Sequence, residues 1–184
     1  SLIEGDATLS GILWAQKYMS ASDFQALIAG SANAPTTQLD KAPAYIRESL
    51  TFPYDQGGNF VVELYKRGGF AAINKAFADP PQSSEQILHP ERYAAGDQPI
   101  ELAFADSAGR IRIEDVLGEL DVHLLEAQLA GAKTLGAIGV LGWGGDRYRV
   151  YDTPAGLALV WYIVWDDSVA AATFHTGTGA RLGA

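Results

Sequence analysis

Apolar residues lie on nearly every side of the helix that the start of the chain predicts. Between Leu2 and Met19 they are Leu2, Ile3, Ala7, Leu9, Ile12, Leu13, Trp14, Ala15, Tyr18 and Met19. A helix that is apolar all round is a buried helix. We therefore predict a buried helix here. Because few chains begin directly with a buried helix, we expect a natural upstream portion to be missing; a first helix that simply docks in the core is the alternative.

Short helices separated by turns are predicted next. A helix over Ser22–Ala29, with Ser22 as its N-cap, precedes a polar loop over Gly30–Asp40. Pro43 fits the first turn of a third helix that runs to about Ser49.

Proline and glycine then interrupt the helical pattern. Pro53 and Gly57-Gly58 indicate a tight region, and Gly68-Gly69 separates two short helices at Asn59–Lys66 and Phe70–Phe77.

The middle of the chain predicts a loop followed by a capped helix. Two prolines exclude a helix over Asp79–Gln82, because each proline disfavours the α-helical backbone conformation in the residue before it. Ser83 and Gln86 have the spacing of a capping box. Pro90 either ends the helix that follows or begins another.

The second half changes from helical to strand periodicity. Ile100–Ala105 and Arg110–Ile113 predict two strands around a turn at Asp106–Gly109. An amphipathic helix follows from Glu114 to about Ala130, and Lys133–Leu141 is suited to another short helix.

A hairpin is predicted for Trp143–Asp152 and Leu157–Asp166, joined at Thr153–Gly156. Its second strand is apolar on both faces, which predicts a central strand covered on both sides. Trp161 and Trp165 would lie buried on one face. The other face would carry Val160, Tyr162 and Val164.

These elements define an α+β fold in one domain over residues 1–184. Its helical N-terminal half would pack on a small antiparallel sheet that ends in the hairpin at 143–166. Asp166-Asp167 would cap a final helix through Phe174, and the glycine-rich tail His175–Ala184 would fray.

Composition excludes several classes of protein. Of the 184 residues 48% are hydrophobic, which excludes a disordered chain. The 13 basic and 22 acidic residues leave a formal charge of −9, which argues against nucleic acid and anionic membranes as partners. Cysteine is absent, so disulfides and thiolate chemistry are excluded. No apolar run is long enough to span a membrane.

Candidate chemistry rests on few side chains. Glu119 and His123 are four residues apart on one helical face, and we expect a solvated pair rather than two metal ligands. Asp146 and Arg147 are suited to a buried charge pair that orients the sheet against the helices. Glu4 and Asp6 have two interpretations. They are functional carboxylates of a buried site, or they lie at a helix N-terminus only because the helix dipole favours acidic residues there. Thr8, one turn after Glu4, could hold or orient it.

The segment Leu2–Thr8, which contains Glu-Gly-Asp-Ala-Thr, resembles the corresponding segment of a bacterial family of gluzincin-like metallopeptidases. Stretches from the whole chain match the same family in the same order. They are Leu50–Tyr54, Gly57, Phe60-Val61, Gly68-Gly69, Pro80–Tyr93, Leu117–Leu120, Gly142–Arg147 and Trp161–Asp166.

The resemblance implies a zinc site to which this chain contributes one ligand. Family members carry a His-Glu-x-x-His helix upstream, which supplies two histidine ligands and the general base. Glu4 is then the third zinc ligand, and His89 or Tyr93 stabilises the oxyanion. No His-Glu-x-x-His occurs in these 184 residues. Since a catalytic zinc needs three protein ligands, we expect no zinc bound to this chain alone.

Two functions remain open at this point, and nothing in the residue spacing favours a third, a metal-independent hydrolase that uses paired carboxylates. The first is a metallopeptidase-like domain that is catalytically incomplete in the 184 residues given. Such a domain would act on a peptide, outside the cytoplasm as relatives of this kind often do. The second is a non-catalytic peptide- or ligand-binding or scaffold module. If the first holds, Glu4 faces a cleft that His89 or Tyr93 also lines. A groove beside the first helix would then accept the absent part or a second copy of the chain, as a homodimer.

Overall fold

Helices account for nearly all of the first 95 residues in the computed structural model, which describes residues 1–32, 37–105, 109–131 and 142–182. The chain forms two compact units. Unit 1 comprises Ser1–Pro81 and Ile87–Tyr93, and unit 2 comprises Gln82–Gln86 and Ala94–Ala184. Helices make up unit 1 and three antiparallel strands lie in unit 2, so the α+β prediction is confirmed. The single domain over residues 1–184 stays a prediction.

The first helix of unit 1, α1 (Leu2–Tyr18), is buried along one face only. Leu2, Leu9 and Ala15 are buried, whereas Ile3 is 70% exposed and Trp14 is 60% exposed. Within unit 1 this helix packs mainly against α4 (Ala44–Ala78). The prediction of a helix buried on all sides is therefore wrong, because apolar residues outnumber the positions that face α4.

Two glycines allow α1 and α4 to approach closely. A Cβ atom at Gly5 would collide with the carbonyl group of Gly57, and a Cβ at Gly57 would collide with the backbone of Ser1. Gly5 N donates to the carbonyl oxygen of Ser1 at 2.9 Å, within the first turn of α1. The first turn of α1 is thereby held directly against α4.

Short helices connect α1 to α4. In α2 (Ala21–Ala32) the cap is Ser20, whose hydroxyl oxygen accepts from Asp23 N at 3.2 Å, so the prediction of Ser22 as the cap is wrong. α2 extends into the predicted polar loop Gly30–Asp40, and α3 (Thr37–Lys41) occupies its end. The loop prediction is wrong for those described parts, because helical hydrogen bonds continue beyond Gly30.

The long helix α4 continues through Pro53 and Gly57-Gly58 but breaks at Gly68-Gly69. Gly69 has a φ of 61°, which favours glycine, and the predicted break there is confirmed. The predicted interruption at Pro53 is wrong. A proline inside a helix removes one hydrogen bond, and here burial of the neighbouring apolar face offsets that loss. That face carries Phe52, Phe60, Val61 and Leu64.

Two short helices follow the irregular segment 79–83. In α5 (Ser84–Leu88) the Ser83 hydroxyl accepts from Gln86 N at 3.2 Å, which confirms the predicted cap. The Gln86 side chain accepts from Gln82 N at 2.7 Å. Pro90 begins the second helix, α6 (Pro90–Ala95), where its missing N–H costs nothing.

The sheet of unit 2 has the order β1–β2–β3, with β1 (Arg110–Asp115), β2 (Trp143–Thr153) and β3 (Gly156–Trp165). The predicted hairpin of β2 and β3 is confirmed. Among the described strands, however, β3 lies at an edge and β2 is central. Leu157 and Leu159 are 62% and 60% exposed.

The prediction that β3 is a central strand covered on both faces is therefore wrong. Apolar residues on both faces of a strand indicate that both faces are suited to burial, but they do not determine the position of the strand in the sheet. Side chains still alternate across the sheet. Trp161 and Trp165 lie on one face, but both are only half-buried. The opposite face carries Val160, Tyr162 and Val164.

Two boundaries before β2 differ from the prediction. Residues 100–105 are not a strand of the sheet, and Ile100 N donates to the carbonyl oxygen of Gly144 at 2.7 Å. Glu114 belongs to β1, so α7 (Glu119–Leu129) begins later than predicted. Lys133–Leu141 and most of the predicted turn at 106–109 lie outside the described residues.

The C-terminal residues fold back onto unit 2. The Asp167 carboxylate accepts from Val169 N and Ala170 N, which confirms the predicted cap of α8 (Ser168–Phe174). A π-helical turn (His175–Gly179) and α9 (Ala180–Leu182) follow. The predicted fraying is wrong for residues 175–182, because the buried Thr178 binds Glu126 of α7.

In the part of the chain that the structure describes, no helix combines the length and apolar character needed to cross a membrane.

Candidate functional site

Glu4 lies in the first turn of α1 and is half-buried. The Thr8 hydroxyl donates to the main-chain oxygen of Glu4 at 2.8 Å, and not to its carboxylate. The expectation that Thr8 orients the carboxylate is thus wrong, because a threonine in a helix bonds readily to the carbonyl four residues earlier. None of the described residues donates a hydrogen bond to the Glu4 carboxylate, which leaves its oxygens for another ligand.

Tyr93 is fixed in unit 1 by its ring and by its hydroxyl. The ring packs edge-on against Phe60 of α4, with centroids 5.2 Å apart. Its hydroxyl donates to the main-chain oxygen of Asp79 at 2.7 Å. Burial, together with the negative charge of Asp79, raises the pKa of Tyr93 above its usual value. The phenol therefore keeps its proton, as a hydrogen-bond donor to an oxyanion must. To donate to a substrate, it would have to break its hydrogen bond to the main-chain oxygen of Asp79.

His89 is the residue between α5 and α6 and is half-buried. Its Nδ1 atom lies 3.8 Å from a carboxylate oxygen of Glu91, and its main-chain oxygen accepts from Arg92 N at 2.8 Å. This geometry places the imidazole beside an exposed carboxylate at the start of α6.

The same part of α4 contacts both Tyr93 and the turn of α1 that carries Glu4. Gly5 approaches Gly57 and Val61, and Tyr93 packs on Phe60. The turn that carries Glu4 and the ring of Tyr93 thus both pack on the segment 57–61 of α4. The metal role of Glu4 and the catalytic roles of His89 and Tyr93 remain predictions.

A second cluster of titratable side chains lies in unit 2, on the inner face of α7. Glu119 is 0% exposed and His123 is 5% exposed, with Oε1 and Nε2 3.3 Å apart. The prediction of a solvated pair is wrong, because the face of α7 that carries both residues points into the core. Its buried neighbours are Leu120, Val122 and Leu124.

Glu126 extends this cluster by one more helical turn. It accepts a hydrogen bond from the Thr178 hydroxyl at 3.1 Å. Burial raises the pKa of Glu126 from its usual value of 4.5, and the Thr178 bond and the charge of His123 only partly oppose that rise. Because the folded pKa lies above the unfolded one, the neutral carboxyl favours the fold. That contribution is complete below about pH 4.5 and is lost as the pH rises through the folded pKa.

We therefore expect Glu126→Gln to stabilise the protein at about pH 7 by up to about 1 kcal/mol, and by almost nothing near pH 4. The amide oxygen keeps the acceptor for Thr178 and removes the charge. Urea unfolding at the two pH values measures the difference. A variant less stable than the parent chain at neutral pH would contradict this assignment.

Asp146 is buried and saturated with hydrogen bonds from unit 2. Leu117 N donates to its Oδ1 at 2.8 Å, and Gly118 N and Trp143 Nε1 donate to its Oδ2 at 2.6 and 3.1 Å. The carboxylate thus ties the loop before α7 to the start of β2. The predicted Asp146–Arg147 pair is wrong, because consecutive residues of a strand point to opposite faces.

Arg147 instead shares the carboxylate of Glu114 with Arg149. The Nε atoms of Arg147 and Arg149 donate to the two oxygens of Glu114 at 2.6 and 2.7 Å. The bonds from Arg149 and Arg147, in that order, lower the pKa of Glu114. Two guanidinium groups around one carboxylate leave one positive charge in a chain whose formal charge is −9. Sequence reasoning missed this cluster, whose only signal was the alternation of Arg147 and Arg149.

A cavity of about 690 Å³ opens beside this cluster within unit 2. The extended segment 98–102 forms one side of it. The remaining lining residues are Gln82, Val116, Trp143, Asp146 and Arg147. Trp143 is almost fully buried, and Val116, which is 48% exposed, contributes apolar surface. The cavity therefore combines a cationic group with apolar surface, which is typical of sites for small organic ligands.

No group of three or more His, Cys, Asp or Glu side chains that could hold a metal ion occurs among residues 1–32, 37–105, 109–131 and 142–182. The described residues consequently do not complete a zinc site by themselves. Glu4 is available as one ligand, and the Glu119–His123 pair lacks a third.

A comparison with family models matches the C-terminal part of the chain. A family model described as a domain of unknown function (DUF8575) matches residues 101–184, which include the sheet, the Glu119–His123 pair and most of the cavity lining. No curated protein and no solved structure matches the chain.

Proposed function

We propose that this chain is a metallopeptidase-like domain that supplies Glu4, but no histidine, to a zinc site, and is therefore catalytically incomplete by itself. The resemblance of Leu2–Thr8 and the motifs after it to gluzincin-like metallopeptidases motivates the proposal. The observation that carries it is the Glu4 carboxylate, which receives no hydrogen bond from the described residues although Gly5 locks its helical turn against α4. A carboxylate that none of the described residues engages, on a turn whose main chain is held in place, is suited to bind a metal.

The substrate class implied is a peptide, and zinc would polarise its carbonyl and activate water when bound. His89 and Tyr93 are the proposed oxyanion donors. For Tyr93 the support is that its ring and the turn carrying Glu4 both pack on residues 57–61, whereas the role of His89 rests on the resemblance alone. By the same resemblance we propose that the protein acts outside the cytoplasm.

The outward face of α1 is the proposed contact for the part that completes the site. Ile3, Trp14 and Tyr18 are 70%, 60% and 63% exposed along this face. A helix carrying His-Glu-x-x-His would cover them, and in its absence we propose that a second copy of the chain does so. Sedimentation of the chain alone tests that homodimer.

The experiment joins a His-Glu-x-x-His helix from a gluzincin-like metallopeptidase to the chain through a flexible linker and measures zinc affinity. The chain alone should bind zinc weakly, because a tight site needs three or four ligands. The fusion should bind zinc at least about tenfold more tightly than its Glu4→Gln variant. Asp6→Asn is the matched control, since Asp6 is equally half-buried on the same helix and binds Ser10. Submicromolar binding by the chain alone, or equal affinities for the fusion and its Glu4→Gln variant, would contradict the proposal.

The second candidate function is a non-catalytic module that binds a peptide or a small ligand. One observation favours it. The cavity of about 690 Å³ is lined by residues of unit 2 and includes none of Glu4, His89 and Tyr93. A ligand bound there would need no zinc.

A further inference from the structure

Arg147 is the feature of the cavity that defines a ligand chemistry. Only its Nε atom is engaged, with Glu114, and its terminal nitrogens bond to none of the described residues. Its side chain is 36% exposed at the cavity wall. A guanidinium with free terminal N–H groups binds carboxylates through two parallel hydrogen bonds.

Arg149 is less accessible to a ligand than Arg147, because its guanidinium is packed against other residues. Its guanidinium lies over the Phe104 ring, 4.5 Å from the centroid, and only 12% of its side chain is exposed. Its Nε atom neutralises one oxygen of Glu114. Because the single carboxylate of Glu114 neutralises only one of the two guanidinium charges, one positive charge remains on the pair, and Arg147 carries the terminal N–H groups that line the cavity.

The two acidic residues of the lining differ in what they offer. Asp146 receives three hydrogen bonds from protein donors, so it is not available to a ligand. Glu101 is exposed at the cavity and can accept a hydrogen bond from a ligand N–H group. Val116 and Leu102 supply apolar surface between these polar groups, whereas Trp143 is buried and bonds to Asp146.

We propose that this cavity binds the C-terminal residue of a peptide, with its carboxylate on Arg147, its apolar side chain against Val116 and Leu102, and an N–H group directed to Glu101. This inference deepens the binding-module candidate by naming its ligand class. It does not depend on the metallopeptidase proposal, because Glu4 takes no part in the cavity.

The test titrates the full chain with acetyl-Ala-Ala-Leu, with the same peptide as its C-terminal amide, and with 4-methylpentanoate. Two-dimensional amide NMR locates the binding. The peptide acid should bind with shifts at residues 98–102 and Val116. The amide should bind at least about tenfold more weakly, because it lacks the negative charge. Equal affinity for 4-methylpentanoate would assign the site to free apolar acids rather than peptides.

Variants separate the arginine from its surroundings. Arg147→Gln should reduce the affinity for the peptide acid to that for the amide, and Arg147→Lys should retain part of it. Arg112→Gln is the matched control, because Arg112 is 54% exposed, pairs with Asp152 and does not line the cavity. Circular dichroism verifies that each variant is folded.

Two results would overturn the inference. Equal binding of acid and amide, or a folded Arg147→Gln variant with unchanged affinity, would exclude the carboxylate contact. Absence of shifts at the cavity with every probe at about 1 mM would exclude this site for peptide C termini and would leave the binding-module candidate only with ligands of other chemistry. Neither result would affect the zinc proposal.

Discussion

Gly5→Ala should lower the free energy of unfolding by about 1–3 kcal/mol. The added methyl group meets the backbone carbonyl of Gly57, which cannot rotate away as a flexible side chain would. The two helices must therefore separate, and burial of Leu2, Leu9 and Val61 is reduced along the interface. Urea unfolding followed by circular dichroism measures the change.

Gly11→Ala is the matched control on the same helix. A Cβ there meets nothing within 4 Å, so the substitution should stabilise α1 by about 0.5–1 kcal/mol through helix propensity. Gly57→Ala and Gly58→Ala repeat the comparison on α4, since Gly57 faces Ser1 and Gly58 faces open space. Equal effects of Gly5→Ala and Gly11→Ala would show that the close approach of α1 to α4 is incorrect.

Asp146→Asn should lower the free energy of unfolding by about 2–4 kcal/mol, because buried N–H donors lose their acceptor. Leu117 N, Gly118 N and Trp143 Nε1 converge on this carboxylate, and an amide has only one accepting oxygen. Thermal or urea unfolding measures the loss, and the near-ultraviolet signal of Trp143 should change with it.

Asp152→Asn is the control for Asp146→Asn. Asp152 pairs with Arg110 and Arg112, which are 86% and 54% exposed, so its ion pairs are weak. We expect a change below about 1 kcal/mol. A loss at Asp152 as large as that at Asp146 would mean that the buried carboxylate does not organise the loop before α7.

Local signals predicted the parts of the fold that depend on neighbouring residues. The cap at Ser83, the cap at Asp167 and the β2–β3 hairpin are each formed within a few residues, and all three are confirmed. Pro53 led to a wrong prediction because the hydrogen bond that a proline removes from a helix is offset by burial of apolar side chains elsewhere along α4. Strand order was missed for the same reason, since it depends on which segments pair.

The candidate site was predicted less completely than the fold. Motif resemblance selected Glu4, His89 and Tyr93, but the spacing of residues could not reveal that the Tyr93 hydroxyl binds Asp79. The burial of Glu119 and His123 also escaped prediction, because polar residues at helical spacing are usually solvated. Arg147, Glu114 and Arg149 meet across two strands that are separated in sequence, so the alternation of the two arginines could not by itself reveal their cluster.

The central claim is that Glu4 is a ligand of zinc. Diffraction at the zinc absorption edge tests this claim most directly. Crystals of the fusion that carries the His-Glu-x-x-His helix should show an anomalous peak with an oxygen of Glu4 about 2.0–2.2 Å from the zinc. The two histidines of the added helix should complete the protein ligands. Zinc held by those histidines with Glu4 directed to solvent, or zinc bound instead at Glu119 and His123, would contradict the account.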